Sequence, residues 1–127
     1  MRLNITSGSP LEPVIGFSRA VRIGSFIAAA GTAPIDVTGG VACPGDPYGQ
    51  TKRCLEIATQ AIREAGGDVR DVIRTRVLLT EIDSWREAAR AHGEFFARHK
   101  PACTFIEISR FIDPHWLVEV EMDCVMS

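Results

Sequence analysis

From Val118 to Cys124 the chain reads Val-Glu-Val-Glu-Met-Asp-Cys, and no other stretch limits the fold as tightly. In an extended chain Val118, Val120, Met122 and Cys124 fall on one side, and Glu119, Glu121 and Asp123 on the other. Apolar against charged residues at period two specifies a strand with one face on a core. The second face carries three carboxylates, which need either water, counter-charges or a partner. The run headed by Pro101-Ala102-Cys103 reads as the strand before it.

Similar reasoning places the other elements. Arg19–Ile23 and Phe26–Ala30 are short extended runs split by Gly24-Ser25, the pattern of a hairpin, and Arg2–Thr6 reads as a further N-terminal strand. Asp46 before Pro47 suits the start of a helix, with proline at its first position. Thr51, Leu55, Ala58, Ile62 and Ala65 then share one helical face, and Gly66-Gly67 ends the helix. In the run 72–79, Ile73, Thr75, Val77 and Leu79 alternate with Arg74, Arg76 and Leu78. Ser84 with Glu87 gives a capping-box signal for a second helix to about Arg98, with Trp85, Ala88, Phe95 and Phe96 on its buried side.

Strands and helices in this order predict an α+β layer fold over residues 1–127 as one domain, a mixed sheet with two helices packed on one face. By parity Arg74 and Arg76 join Glu119, Glu121 and Asp123 on the uncovered face, where opposite charges on neighbouring strands stabilise each other. Phe105 shares a side with Cys103 and Glu107. An apolar ring on an uncovered face fits burial by a second copy, so an oligomer is expected.

Composition narrows the function. With 46% hydrophobic and 24% charged residues and a net charge of -2, the chain lacks the basic balance of a phosphate-tracking protein, so nucleic acid is not an expected partner. No apolar run reaches the ~18–20 residues that span a membrane, and a cytoplasmic location is expected. Cys43, Cys54, Cys103 and Cys124 form no CxxC pair and no zinc-like spacing with the histidines; free thiols, mostly buried, and no metal follow.

The pieces "GFSRAVRIGSFIAAAGTAPID", "GDPYGQTKRCLEIATQAIREAGGDVRDVIRTRVLLTEIDSW", Phe95-Phe96 and "PACTFIEISRF…LVEVEMDCV" resemble, in order and spacing, the RidA/YjgF family of reactive intermediate deaminases, formerly called endoribonuclease L-PSP proteins. The resemblance implies a chorismate-mutase-like fold and a homotrimer whose sheets line a central barrel, with small-molecule clefts between subunits. It implies hydrolysis of amino-acid-derived imines and enamines to a keto acid and ammonia, without metal or cofactor. Glu119 stands where the family's water-handling glutamate belongs, and Gly31 where its glycine belongs. Cys103 replaces the arginine that clamps the substrate carboxylate, Phe17 a tyrosine, Ala30 a serine and Ala89 an asparagine. The loss of a charged anchor makes ordinary 2-aminoacrylate-type deamination a poor expectation.

The candidate set is therefore Glu119 as the catalytic residue, with Phe17, Arg19, Ala30, Gly31, Ala89, Cys103 and Thr104 around the substrate. Glu119 is either a general base or a structural carboxylate paired with Arg74 or Arg76. Cys103 is either a nucleophile or a small residue that opened the pocket; neither His99 nor His115 stands beside it in sequence. Arg19 and Arg110 are either substitute anchors or surface charges. Phe17 and Trp116 make the cleft more apolar or pack against a neighbouring subunit. Enzyme, non-catalytic ligand-binding trimer and ribonuclease are the functional classes at issue, the last disfavoured by the acidic balance.

Overall fold

A computed structural model describes residues 1–127. The chain runs β1 (Arg2–Ile5), α1 (Leu11–Ile15), β2 (Ala20–Ile23), β3 (Phe26–Thr32), α2 (Pro47–Glu64), β4 (Val72–Leu79), α3 (Trp85–Phe96), β5 (Ala102–Glu107) and β6 (Val118–Val125). The strands form a six-stranded mixed sheet in the order β1-β2-β3-β6-β4-β5. Only β4 and β5 are parallel, joined through α3 as a βαβ unit. The expected α+β class and element order are present, with α1 as an unforeseen short helix.

The alternation of β6 holds residue by residue. Val118, Val120, Met122 and Cys124 are buried in the core, and the three acidic residues point to the other face. Thr51, Leu55, Ala58, Ile62 and Ala65 from α2 and its C-cap supply the facing layer, all of them buried. Pro47 stands at the first position of α2 and Asp46 is its N-cap residue, although the aspartate side chain makes no capping bond. Gly66, at φ +99°, turns the chain out of the helix in a conformation few side chains adopt.

Five expectations fail. A bulge between Val72 and Arg74 shifts the β4–β6 register, so Val72 enters the core and Ile73 stays 51% exposed. Ser84 makes no capping bond, because a 3-10 turn, Ile82–Ser84, leads straight into α3 and the serine hydroxyl donates back to Glu81 O at 2.8 Å. That entry leaves Trp85 exposed, with the Arg86 guanidinium 4.5 Å from its ring. Phe105 lies on the helix side: its register partner is the core residue Val77, and its ring meets His92 edge-on at 6.2 Å. Of the four free cysteines, Cys54 and Cys124 are buried but Cys43 and Cys103 are exposed.

The uncovered face is divided by chemistry. Ile23, Phe26 and Val125 lie side by side across β2, β3 and β6, and all three are exposed. Beside them Arg76 reaches Glu121 at 3.3 Å and Asp123 at 3.8 Å, and Arg74 reaches Asp123 at 3.9 Å. Exposed pairs of this kind contribute about 0–1 kcal/mol each.

The bulge makes a stability test. Ile62→Ala removes a fully buried side chain and is expected to cost roughly 2–5 kcal/mol in urea unfolding. Ile73→Ala is expected to cost less than about 1 kcal/mol; a loss as large as that of Ile62→Ala would restore Ile73 to the core.

Candidate functional site

A second bulge, in β3, organises the candidate residues. Ala29 pairs with Met122 and Thr32 with Val120, so Ala30 and Gly31 together stand opposite Glu121. Bulges re-aim the backbone locally, and here the Gly31 carbonyl meets Arg19. Arg19 Nη1 donates to Gly31 O at 2.8 Å and to Thr32 Oγ1 at 3.3 Å, while its Nε donates to Ser7 Oγ at 3.2 Å. A side chain at residue 31 would begin 2.7 Å from Glu119 Oε1. One glycine peptide thus carries the Arg19 guanidinium on its carbonyl and the Glu119 carboxyl against its bare Cα.

The alternative of Arg19 as a surface charge is overturned, since the residue is only 6% exposed. Burial pulls its pKa down, and Glu12 and Glu119 push it back up; an arginine so placed stays charged and needs partners. Glu12 supplies one from α1, a residue that no sequence pattern singled out. Its carboxylate accepts from Thr6 Oγ1 at 2.6 Å, Ser7 N at 3.0 Å, Ser7 Oγ at 2.9 Å and Ser9 N at 3.4 Å. Burial alone would raise the Glu12 pKa, but these four bonds outweigh it and hold the carboxyl below the ordinary range.

Glu119 has the opposite electrostatics. Burial raises its pKa, Arg19 lowers it in part, and neighbouring Glu121 raises it again, leaving it above the ordinary carboxylate value. Its proposed pairing with Arg74 or Arg76 is absent: Leu78 is its register partner, and both arginines serve Glu121 and Asp123. A half-buried carboxyl with a raised pKa and no ion pair is suited to accepting a proton.

The remaining candidates are spread over the molecule. Phe17 and Arg19 line a cleft of about 660 Å³ between the N-terminal segment, the loop after β3 and α2, together with Trp116. The Phe17 ring lies 5.1 Å from the Arg19 guanidinium carbon. Ala30 and Gly31 sit beside Glu119 at the bulge. Cys103 and Thr104 lie on β5, two strands away from β6, and Ala89 on α3 is half-buried. Cys103 registers with Thr75 and therefore faces the helix side, whereas Thr104 registers with Arg76 on the uncovered face. Arg110 is exposed in the β5–β6 loop. Within one chain, Phe17, Arg19, Ala30, Gly31 and Glu119 form a connected group; Cys103, Thr104 and Ala89 do not join it.

His92 is the histidine that sequence reasoning passed over. Its Nε2 lies 2.8 Å from Thr75 Oγ1, its ring packs against that of Phe96 at a tilt of 44° with centroids 4.7 Å apart, and burial pushes its pKa down. The signal was present in the helical spacing, because His92 stands four residues from both Ala88 and Phe96 on the buried face.

Glu12 and Glu119 give stability opposite pH dependences. Glu119, with its raised folded pKa, contributes stability fully present below its unfolded pKa and lost as pH rises through the folded value. Glu12, with its depressed folded pKa, contributes stability present above the unfolded value and lost as pH falls. In urea titrations from about pH 4 to about pH 8, Glu119→Gln is expected to gain on the wild type as pH rises, and Glu12→Gln to lose. Parallel curves for either variant would contradict the stated environment of that carboxyl.

Comparison with known proteins is consistent across most of the chain. The sequence profile of the family described as Endoribonuclease L-PSP matches residues 7–126. An uncharacterised protein from Streptomyces coelicolor is 40% identical over 121 residues, covering 94% of this chain and 88% of its own. A RutC family protein from Pyrococcus abyssi is 34% identical over 110 residues, covering 87% and 86%. The crystal structure of a member of the YjgF/YER057c/UK114 family from Mycobacterium tuberculosis has the same fold, with a TM-score of 0.90, 35% identity and coverage of 99% of this chain and 100% of that one. A profile match over nearly the whole length, joined to the six-stranded mixed sheet, establishes that this chain belongs to the endoribonuclease L-PSP, or RidA/YjgF, family.

Proposed function

We propose that this chain forms a cytoplasmic homotrimer with small-molecule clefts at its subunit seams, and that Glu119 handles a water molecule there. The observation that carries the reading is the Glu119 carboxyl itself: half-buried, without an ion pair, raised in pKa and pressed against Gly31 on an uncovered sheet face. The apolar strip of Ile23, Phe26 and Val125 on that face supports its burial against another copy. The separation of Cys103, Thr104 and Ala89 from Glu119 within one chain supports a site completed by the edge of a neighbour, β5 being an edge strand.

The chemistry in keeping with such a carboxylate is addition of water to a C=N bond. Glu119 takes a proton from water as the oxygen bonds to the imine carbon, and the nitrogen is protonated. The C–N bond then breaks, releasing ammonia and leaving a carbonyl. Neither metal nor cofactor enters this scheme. With Cys103 in place of a guanidinium, the preferred imine is one not held by a bidentate carboxylate clamp at that position. The position of Cys103 on the helix side of β5, away from the Glu119 face, favours a second reading, a trimer that binds a ligand without turning it over.

Light scattering is expected to give a mass three times that of the 13.9 kDa chain. A panel of imines and enamines, assayed for ammonia release, is expected to show turnover that Glu119→Gln reduces by about 10²–10⁴-fold. A stable monomer, or turnover indifferent to Glu119→Gln, would overturn the proposal. Ligand binding with no turnover on any of them would favour the second reading.

A further inference from the structure

Arg19 and Glu119 meet at one glycine, yet they form no ion pair. The guanidinium sits on the Gly31 carbonyl and Glu119 Oε1 lies against the Gly31 Cα, while the bonds of Arg19 go to Ser7, Gly31 and Thr32. A buried cation beside an unpaired carboxylate gains most by closing on it, since each then offsets the other's lost hydration. Some part of the fold must hold the two apart.

The restraint comes from the N-terminal segment. Ser7 Oγ accepts from Arg19 Nε at 3.2 Å and donates its single hydrogen to Glu12 Oε2 at 2.9 Å. With that hydrogen committed, the hydroxyl can only accept on the side of Arg19. Glu12 is itself buried, and Thr6 Oγ1, Ser7 N and Ser9 N also donate to it, so Ser7 is fixed in place. The chain from carboxylate through hydroxyl to guanidinium is charge-assisted at both ends. It holds Nε on Ser7 while Nη1 stays on Gly31 O.

No other group can take over this task. Around Glu119, β3 brings no titratable side chain, and β4 brings Arg74 and Arg76, which serve Glu121 and Asp123 of β6. From α2 comes Cys54, a thiol that burial keeps protonated. Arg19 is the cation whose field reaches Glu119, and Glu12 is the carboxylate that competes for it.

We propose that Ser7, anchored on Glu12, is a positioning residue for Glu119: it keeps the Arg19 guanidinium on the Gly31 carbonyl and short of an ion pair, leaving the carboxylate free to take a proton from water. This role rests on the reading of Glu119 as the water-handling group. A carboxylate clamped by a guanidinium would be a weaker base.

The test follows the Glu119 carboxyl by carbon-13 NMR in the full chain labelled at glutamate, its signal being the one lost in Glu119→Gln. Ser7→Ala, which changes no charge, is expected to lower the midpoint of that titration by about one pH unit as Arg19 closes on Glu119. Ser7→Thr, which keeps the hydroxyl, is expected to restore the wild-type midpoint. Arg19→Gln by itself is expected to raise the midpoint, and Ser7→Ala added to it to move nothing further; if Arg19→Gln fails to fold, the two Ser7 variants decide alone. A midpoint that stays put or rises in Ser7→Ala, or falls equally in Ser7→Thr, would refute the role, whatever either variant costs in urea unfolding. The titration needs no substrate. Where an imine is turned over, Ser7→Ala is expected to move the acid limb of kcat/KM down by the same amount. A lowered midpoint with no turnover on any imine would strike the hydrolytic reading and leave the restraint standing; turnover lost in Glu119→Gln with an unmoved midpoint in Ser7→Ala would do the reverse.

Discussion

A guanidinium withdrawn from water must be met on several sides at once, and Arg19 is met by three separate pieces of chain. Ser7 and Glu12 come from the N-terminal segment, Gly31 and Thr32 from the β3 bulge, and the field of Glu119 from β6. Removing any one of them would leave a buried charge short of compensation, which typically costs several kcal/mol. The conformation of residues 6–12, the bulge and the position of the Glu119 carboxyl are therefore coupled through one side chain. Ser7 is the joint: its hydroxyl accepts from Arg19 and donates to Glu12, so that a carboxylate held below its usual pKa and one held above it are linked through the same cation.

The sheet separates two kinds of chemistry. On the helix side, β6, β3 and β4 bury aliphatic residues against α2 and α3, and the polar groups admitted there are satisfied locally. Thr51 and Thr59 donate back to the carbonyls four residues earlier, Thr75 pairs with His92, and Gln50 ties α2 to the β5–β6 loop. Cys54 and Cys124 behave as small apolar residues, burial raising both thiols, Cys124 to about 12. On the other side lie the ion pairs of β4 and β6, the apolar strip and Glu119. The cleft beside Trp116 lies between the N-terminal segment, the loop after β3 and the side of α2 from Arg53 to Glu64.

Much of this was readable in the sequence wherever a residue's fate depended on near neighbours. The period-two run of β6, the helical stripe of α2 and the Gly66 turn all express local geometry, and all stand where they were expected. The errors share a cause. Ile73 was placed in the core because parity was carried across a bulge that only the partner strand β6 imposes. Phe105, Cys103 and Glu107 were correctly grouped on one side, but which face that was depended on the parallel register of β5 with β4, set by the α3 crossover. Trp85 looked buried from its spacing, and the 3-10 entry to α3 turned it outward.

What the sequence determined by itself is the class of fold, the order of its elements, the family, and that Glu119 lies opposite the core; these follow from periodicity and turn residues, which act over a few positions. The tertiary structure alone decided that Arg19 is buried, that Gly31 carries its carbonyl to that cation, that Glu119 escapes the arginines of β4, and that Trp116 keeps an unpartnered donor in a cleft. Those outcomes rest on contacts between residues 12 to more than 60 positions apart, and on how burial changes the energy of a charge, neither of which any local pattern encodes.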